Sequence, residues 1–421
     1  ILIGNFNSMR ISRSMFHLNS LQIKLKDSIL IILFCCLPFT MFVGTGLSNL
    51  TIILIDLFLI YELSNNKDFK IFKNNFFYIL IFLWFFLILN SIFIAKNTDS
   101  LIRSFGLLRF ILLAFSIKYF FHNKESFFKK TVLNFWFFIF IITTIDLMFE
   151  FSTGADLLGF KSNYNGRLAG FTGDELRIGG YYFGFILISL SNSFFNEKKI
   201  RLLTFSLIFL ITALIIGERS NFIKIFFILI FFLILINRTE SLKKFFLYFV
   251  IFLLIITVTS LNNLMLKTRF FDDFFIPVKN YGISHYVKNS RHGRHYDMAI
   301  RIFKQNPILG IGIKNFRYES IKAKYNIYDK KDGHTTHPHQ LHFELLSETG
   351  LVGYLLFLFF FIYSILFGFN SYLKKNNTLA LCGTLFLVAT IIPIIPMGSF
   401  FSSYGAAIFW INFGLLITEQ D

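Results

Sequence analysis

The sequence predicts an all-α polytopic membrane protein with about twelve transmembrane helices and one large polar loop late in the chain. Three observations predict it. Apolar residues fill 55% of the 421 positions and charged residues only 15%, with Phe alone at 62 positions; a soluble surface needs about a quarter charged residues. The apolar residues gather in runs long enough to cross a bilayer. The Lys and Arg residues between those runs alternate between crowded and sparse segments. Together these exclude a soluble enzyme and a disordered chain.

The runs cover residues 29–47, 50–62, 76–95, 101–121, 131–151, 178–195, 200–216, 220–236, 243–260, 348–369, 377–395 and 400–417. The second is short and is expected to be bent or re-entrant. Helices are expected because an open strand leaves its backbone unsatisfied in lipid. Barrel strands would be alternating runs of about ten residues, whereas these runs are apolar on every side. With the N-terminus in the cytoplasm, the inner segments hold 18 Lys and Arg and the short outer segments 6. Positive charge is retained on the cytoplasmic side, so this is the expected orientation. Four parts follow: a cytoplasmic segment at 1–28, nine helices within 29–260, an external loop rich in His and Arg at 261–347, and three helices within 348–421.

The formal net charge is +17. Such an excess can mark nucleic-acid binding. In a membrane chain it reads instead as loop bias or as a site for anionic lipid or substrate, so the bilayer is an expected partner and nucleic acid is not. Cys35 and Cys36 are adjacent and Cys382 lies in an apolar run; none has the spacing of a disulfide framework or metal site. The sequence begins at Ile1, with Met9 as a candidate initiator. Leu30 to Leu47 lacks the small-residue cleavage site of a signal peptide.

Residues 261–347 break the rhythm, with 87 residues that hold seven of the nine His and 14 of the 41 basic residues. A structureless loop of this length is rare unless it has a function. Apolar spacing around Met298 to Phe303 and Tyr318 to Tyr325 predicts short amphipathic helices. At its end stands H-P-H-Q-L-H-F-E-L-L-S-E-T-G, residues 337–350. Pro338 favours a turn or helix start, which puts His339, with His337 beside it, at the membrane rim. Histidine titrates near neutrality and there suits a general base on a hydroxyl; the alternative is a loop histidine bonded to backbone. His334, His337, His339 and His342 are joined by no Cys and no clear carboxylate set, so no metal is expected.

Gly217-Glu218-Arg219-Ser220 is a tight outer turn between two spans. Its charged pair reads either as a surface ion pair of little worth or as an arginine fork aimed at a phosphate. The stretch R-L-A-G-F-T-G-D-E, from Arg167 to Glu175, leads into Gly179-Gly180. Its glycines permit an irregular backbone at the interface, and Arg167 and Arg177 add positive charge. N-P-I-L-G-I-G-I-K-N-F, residues 306–316, looks like a phosphate loop but lacks the Walker lysine pattern, so no nucleotide is expected. Within the spans, Lys118 lies near a cytoplasmic end and is expected to snorkel, while Arg109 is deeper; it either pairs with Asp56 or Asp146 or meets substrate.

These four stretches, taken in chain order, resemble the O-antigen ligase and Wzy-type O-antigen polymerase superfamily. Residues 306–316 and 337–353 match its "P-x-x-G-x-G" and "H-x-H-N-…-G-x-x-G" patterns, with Gln340 where Asn is commoner. The resemblance spans roughly residues 160–370. It implies a GT-C-like, metal-independent, inverting glycosyltransferase of the bacterial inner (plasma) membrane, with the large loop periplasmic and no cofactor. The donor it implies is a glycan on undecaprenyl diphosphate; the acceptor is a sugar hydroxyl or lipid A-core, and a chain-length regulator is a further partner. His339 would orient or deprotonate the acceptor hydroxyl and Arg219 would stabilise the diphosphate leaving group. Arg167 and Arg294, with Glu218, Glu175 and Arg109, are the further candidates for substrate contact. The wording of the 167–175 and 217–220 stretches favours a polymerase over a ligase, and a lipid-linked sugar transporter is the rival from another class.

Overall fold

The computed structural model describes residues 25–418 apart from 165, 174–176, 196–198, 237–249, 251–253, 255–256, 259–262, 323 and 326–334. The described chain is helical, with no strand among the described residues. Among the described residues seven helices are long and apolar enough to cross a membrane: α1 (Leu25–Val43), α2 (Thr45–Asn66), α3 (Asn75–Ala95), α4 (Thr98–Asn123), α5 (Ser126–Thr153), α8 (Arg219–Ile236) and α13 (Leu341–Lys375). The protein is therefore an all-α polytopic membrane protein. The expected short second span is instead the 22-residue α2, which extends past both ends of the apolar run. The expected span 243–260 falls largely outside the described residues.

Four further apolar segments form shorter helices: α6 (Ile178–Leu190), α7 (Lys199–Ile215), α14 (Thr378–Thr390) and α15 (Ser403–Leu416). Most side chains of α6, α14 and α15 are buried, because these helices pack on protein rather than lipid. Their expected spans continue as irregular backbone, which membrane depth tolerates only where protein satisfies its polar groups. Residues 391–402, between α14 and α15, are the main such segment.

The polar segment before α13 carries α9 (Leu264–Lys267), α10 (Ile276–Asn289), α11 (Arg291–Gln305) and α12 (Phe316–Glu319). The side chain of Ser290 caps α11 by accepting from the Gly293 N–H at 3.0 Å, a contact that satisfies one orphan donor of the first turn. Met298, Ala299 and Ile302 turn inward from α11 and form a small separate core with Ile311, Phe316 and Tyr325. Tyr296 stacks on Phe343 at 4.8 Å between ring centroids and fixes α11 to α13.

The glycines of the 306–316 stretch have a structural cause. α13 breaks at Gly350, where φ is +66°. The 307–312 backbone docks into the break: Ile311 and Gly312 donate to the carbonyls of Ser347 and Glu348 at 3.1 and 2.7 Å, and Leu351 donates to Pro307 at 2.8 Å. A Cβ on Gly310 would stand 2.5 Å from the Glu348 carbonyl carbon, and one on Gly350 2.4 Å from that of Ile308. Backbone meets backbone here, and only glycine permits the approach.

Candidate active site

Three distant stretches meet at the 217–220 turn. The Glu150 carboxylate of α5 accepts from the N–H groups of Ala169 and Gly170, at 2.9 and 2.7 Å, and holds the 167–170 loop. Leu168 donates to the Ile216 carbonyl at 3.1 Å, which lays Arg167 beside the turn. Gly217 has φ +78°, and a Cβ there would overlap the Gly166 carbonyl oxygen. From the other side Arg269 Nε donates to the Gly217 carbonyl at 3.1 Å, while Arg219 Nη1 donates to the carbonyls of Arg269 and Asp273 at 3.1 and 3.3 Å.

Arg167, Arg219 and Arg269 thus form one cationic cluster. Burial pulls Arg269 down to about 10, and repulsion from Arg167 and Arg219 adds to it. Glu218 is the acid among them. Burial raises its carboxyl above the usual range against the pull of Arg167, and it accepts from Asn221. Its Oε1 has no hydrogen-bond partner among the described residues.

The cluster lines a cavity of about 1250 Å³ whose walls carry, among the described residues, nine Lys and Arg residues and one carboxylate, Glu218. Opposite it stand four histidines. His339 is at the centre, with ring centroids 3.9 Å from His337, 5.1 Å from His292 and 5.2 Å from His295. Its Nε2 lies 3.1 Å from the Thr335 hydroxyl, and His337 Nδ1 lies 3.0 Å from that of Thr336. His339 has φ +60°, a conformation rare outside glycine and frequent at functional sites. Its carbonyl accepts from Met397 N–H at 2.8 Å, which holds that geometry.

All four rings are held neutral. Burial, then the charges of Arg167, Arg219 and Arg291, bring His292 to about 4. Burial and neighbouring His292 bring His295 to about 4. Burial and Lys314 bring His337 to about 3. Burial and the other three histidines bring His339 to about 2. Both ring nitrogens of His295 and Nε2 of His337 are buried without a hydrogen-bond partner among the described residues. Neutral imidazoles can accept a proton from a hydroxyl, and an anion in the arginine cluster would raise their basicity. Among the described residues no group of three His, Cys, Asp or Glu is arranged to hold a metal ion.

The rest of the 337–350 stretch serves the fold. Gln340 caps α13 by accepting from Phe343 N–H at 3.1 Å and donates to the Ile392 carbonyl at 3.4 Å. His342 donates through Nε2 to the Ile391 carbonyl at 2.7 Å. Glu344 accepts from the Phe400 N–H at 2.9 Å and from the Ser399 hydroxyl. These side chains satisfy the irregular 391–400 backbone. Glu348 accepts from the N–H groups of Lys314 and Phe316 at 2.8 and 3.3 Å, and the Lys314 ammonium reaches Ser399.

The candidates read from the sequence divide accordingly. His337, His339, Arg219, Arg167 and Glu218 share the cavity wall. Arg294 lies on α11 outside that wall, where its neighbours Arg291, His292 and His295 face inward. Arg109 lines a separate small cleft with Gly106 and Phe401; Asp56, which accepts from Ser116, also feels its charge, whereas Asp146 accepts from Leu157 N–H. Glu175 and His334 lie outside the described residues. His342 belongs to the fold rather than to the histidine cluster. Arg269, His292, His295, Lys224 and Lys314 are cavity residues that were not singled out from the sequence; the i, i+3 pair His292 and His295 beside Arg291 was the signal available for two of them.

No curated protein matches the chain. Residues 204–358 match the family model described as O-antigen ligase, a segment that contains the 217–220 turn, the 306–316 stretch and the histidine stretch: over this segment the membrane protein is similar to the O-antigen ligase family.

Proposed function

We propose that the protein is a metal-independent, inverting glycosyltransferase that polymerises oligosaccharide units carried on undecaprenyl diphosphate, at the periplasmic face of the bacterial inner membrane. The observation that carries this reading is the single cavity in which a neutral histidine cluster faces an arginine cluster. The acceptor hydroxyl is oriented by His339 and gives up its proton there, with His337 beside it. The oxygen attacks the anomeric carbon as the bond to the diphosphate breaks. Arg219, with Arg167 and Arg269, takes the charge that builds on the leaving group. The diphosphate also offsets the mutual repulsion of these cations, and its negative charge favours the protonated imidazole as the proton arrives. Glu218, the one acid in the wall among the described residues, keeps the arginines in place.

The description of the matching family favours a second reading, in which the acceptor is lipid A-core and the enzyme is a ligase. Both readings share the donor and the chemistry. The test uses the full chain in nanodiscs with undecaprenyl-diphosphate-linked units, with and without lipid A-core, read on a gel beside His339→Ala. A ladder from the donor alone, absent in the variant, supports polymerisation. One shifted band that needs lipid A-core supports the ligase. Undiminished product from His339→Ala removes the histidine from the chemistry.

A further inference from the structure

Lys224 has no place in the chemistry above. It is the sixth residue of α8, within a run of Ile and Phe, and its side chain is only 2% exposed. It lines the same cavity as Arg219, five residues further along the helix and so about 7.5 Å deeper. Among the described residues no carboxylate pairs with it. Its neighbour is the Phe183 ring, with Nζ 5.6 Å from the centroid, and Phe183 in turn stacks on Phe386 at 4.7 Å. An ammonium taken out of water without a counter-ion is costly, and cations inside membrane spans pair with a partner or mark a substrate path.

The walls decide which anion fits. A sugar carboxylate would bring hydroxyls that need hydrogen-bond partners, and the rings of Phe183 and Phe386 provide none. A phosphate ester with an apolar tail meets both features at once: its charge answers the ammonium and its tail lies against the rings. We propose that Lys224 binds the phosphate of such an amphiphile at the membrane-embedded end of the cavity. This rests on the reading of the donor as a lipid diphosphate, whose lipid-side phosphate is one source of the group; the headgroup of a membrane phospholipid is the other. The first isoprene units of the donor then run between α6 and α14, and the arginine cluster at the rim is left to the sugar-side phosphate.

The test measures binding of radiolabelled farnesyl monophosphate to the full chain in phosphatidylcholine nanodiscs, with farnesol as the uncharged control. Lys224→Met is expected to weaken farnesyl phosphate about tenfold or more, about 1.4 kcal/mol, and to leave farnesol binding unchanged. Lys224→Arg keeps the charge and is expected to stay within about threefold of the parent, a loss under 1 kcal/mol. Lys224→Gln is read in the same way should the Met variant not survive purification. Phosphatidylglycerol in the nanodisc that displaces the probe assigns the subsite to headgroups; a probe that stays bound assigns it to the isoprenyl donor. Equal farnesyl phosphate affinity in the parent, Met and Gln proteins overturns the proposal. His339→Ala separates the two claims: it is expected to abolish glycan transfer and to bind farnesyl phosphate as the parent does. A parent that makes no product from lipid-linked glycan would sink the function while leaving the binding comparison readable.

Discussion

Arg219→Lys is the sharpest single perturbation of the arginine cluster. The guanidinium is tied on one edge, where Nη1 donates to the carbonyls of Arg269 and Asp273, so its other donors remain for the cavity. A lysine keeps the charge but loses the planar fork. Two charge-assisted hydrogen bonds to a phosphate are worth about 1.5–3 kcal/mol each, or about 3–6 kcal/mol together if both mature as the leaving group departs. At 1.4 kcal/mol per factor of ten this is a fall of roughly 10²–10⁴ in kcat/KM, with Arg219→Ala only slightly worse. The fall belongs in kcat, because the interaction strengthens in the transition state. The assay is initial-rate product formation from lipid-linked donor in nanodiscs, with thermal melting of each variant as the check on folding. A lysine variant that melts as the parent does and works within about threefold of it, under 1 kcal/mol, would refute the leaving-group role.

The histidine cluster makes stability depend on pH. The four rings stay neutral in the folded protein down to about 4 or below, while in the unfolded chain they take up protons near 6.5. The unfolded state therefore binds more protons below 6.5, and stability is lost as pH falls from 7 towards 5; a melting temperature that is flat across that range, or as steep in His295→Gln as in the parent, would contradict this. Gly310→Ala and Gly350→Ala each force a side chain into backbone at positive φ and should cost more than about 3 kcal/mol, whereas Gly46→Ala, with nothing within 4 Å, should gain up to about 1 kcal/mol; size-exclusion profiles after heating rank them. Transfer should persist in EDTA, and a loss restored by zinc would revive a metal reading of the histidines. Glu348→Ala strands the N–H groups of Lys314 and Phe316 at about 1–3 kcal/mol each, so its melting temperature should drop well below the parent's; an unchanged value would mean water replaces the carboxylate.

The fold was legible where burial in lipid and helix length coincide. The runs at 76–95, 101–121 and 220–236 lie within two or three residues of α3, α4 and α8, because only a helix can carry so apolar a run across a bilayer. The run at 348–369 was read seven residues short at its start, since α13 begins at Leu341. The stretch after Pro338 reads as helix, but His342 and Glu344 kept it out of the apolar run. Their polar groups and that of Glu348 are spent on the 391–400 segment and on the 312–316 backbone, which hydropathy along a single run does not reveal. The shortened α14 has the same origin, seen from the other partner.

The site was legible in its stretches and not in its membership. Arg269 reads as one of many loop cations, yet its bond to the Gly217 carbonyl completes the arginine cluster. His292 and His295 gain their meaning only once α11 turns them toward His339. Lys224 could have been found by asking which cation in an apolar run has no acid within helical reach.

The 337–344 stretch also divides its labour residue by residue. His337 and His339 face the cavity, whereas Gln340, His342 and Glu344 hold the adjoining 391–400 backbone, part of which also lines it. The side chain at 340 must cap α13 and reach Ile392 at once. Asparagine would cap as well as glutamine but is one methylene shorter, and the Ile392 contact is already long at 3.4 Å. The longer amide is thus matched to the position of the 391–400 segment. The same segment fixes His339 through Met397 N–H, so residue 340 bears on His339 through the wall it supports.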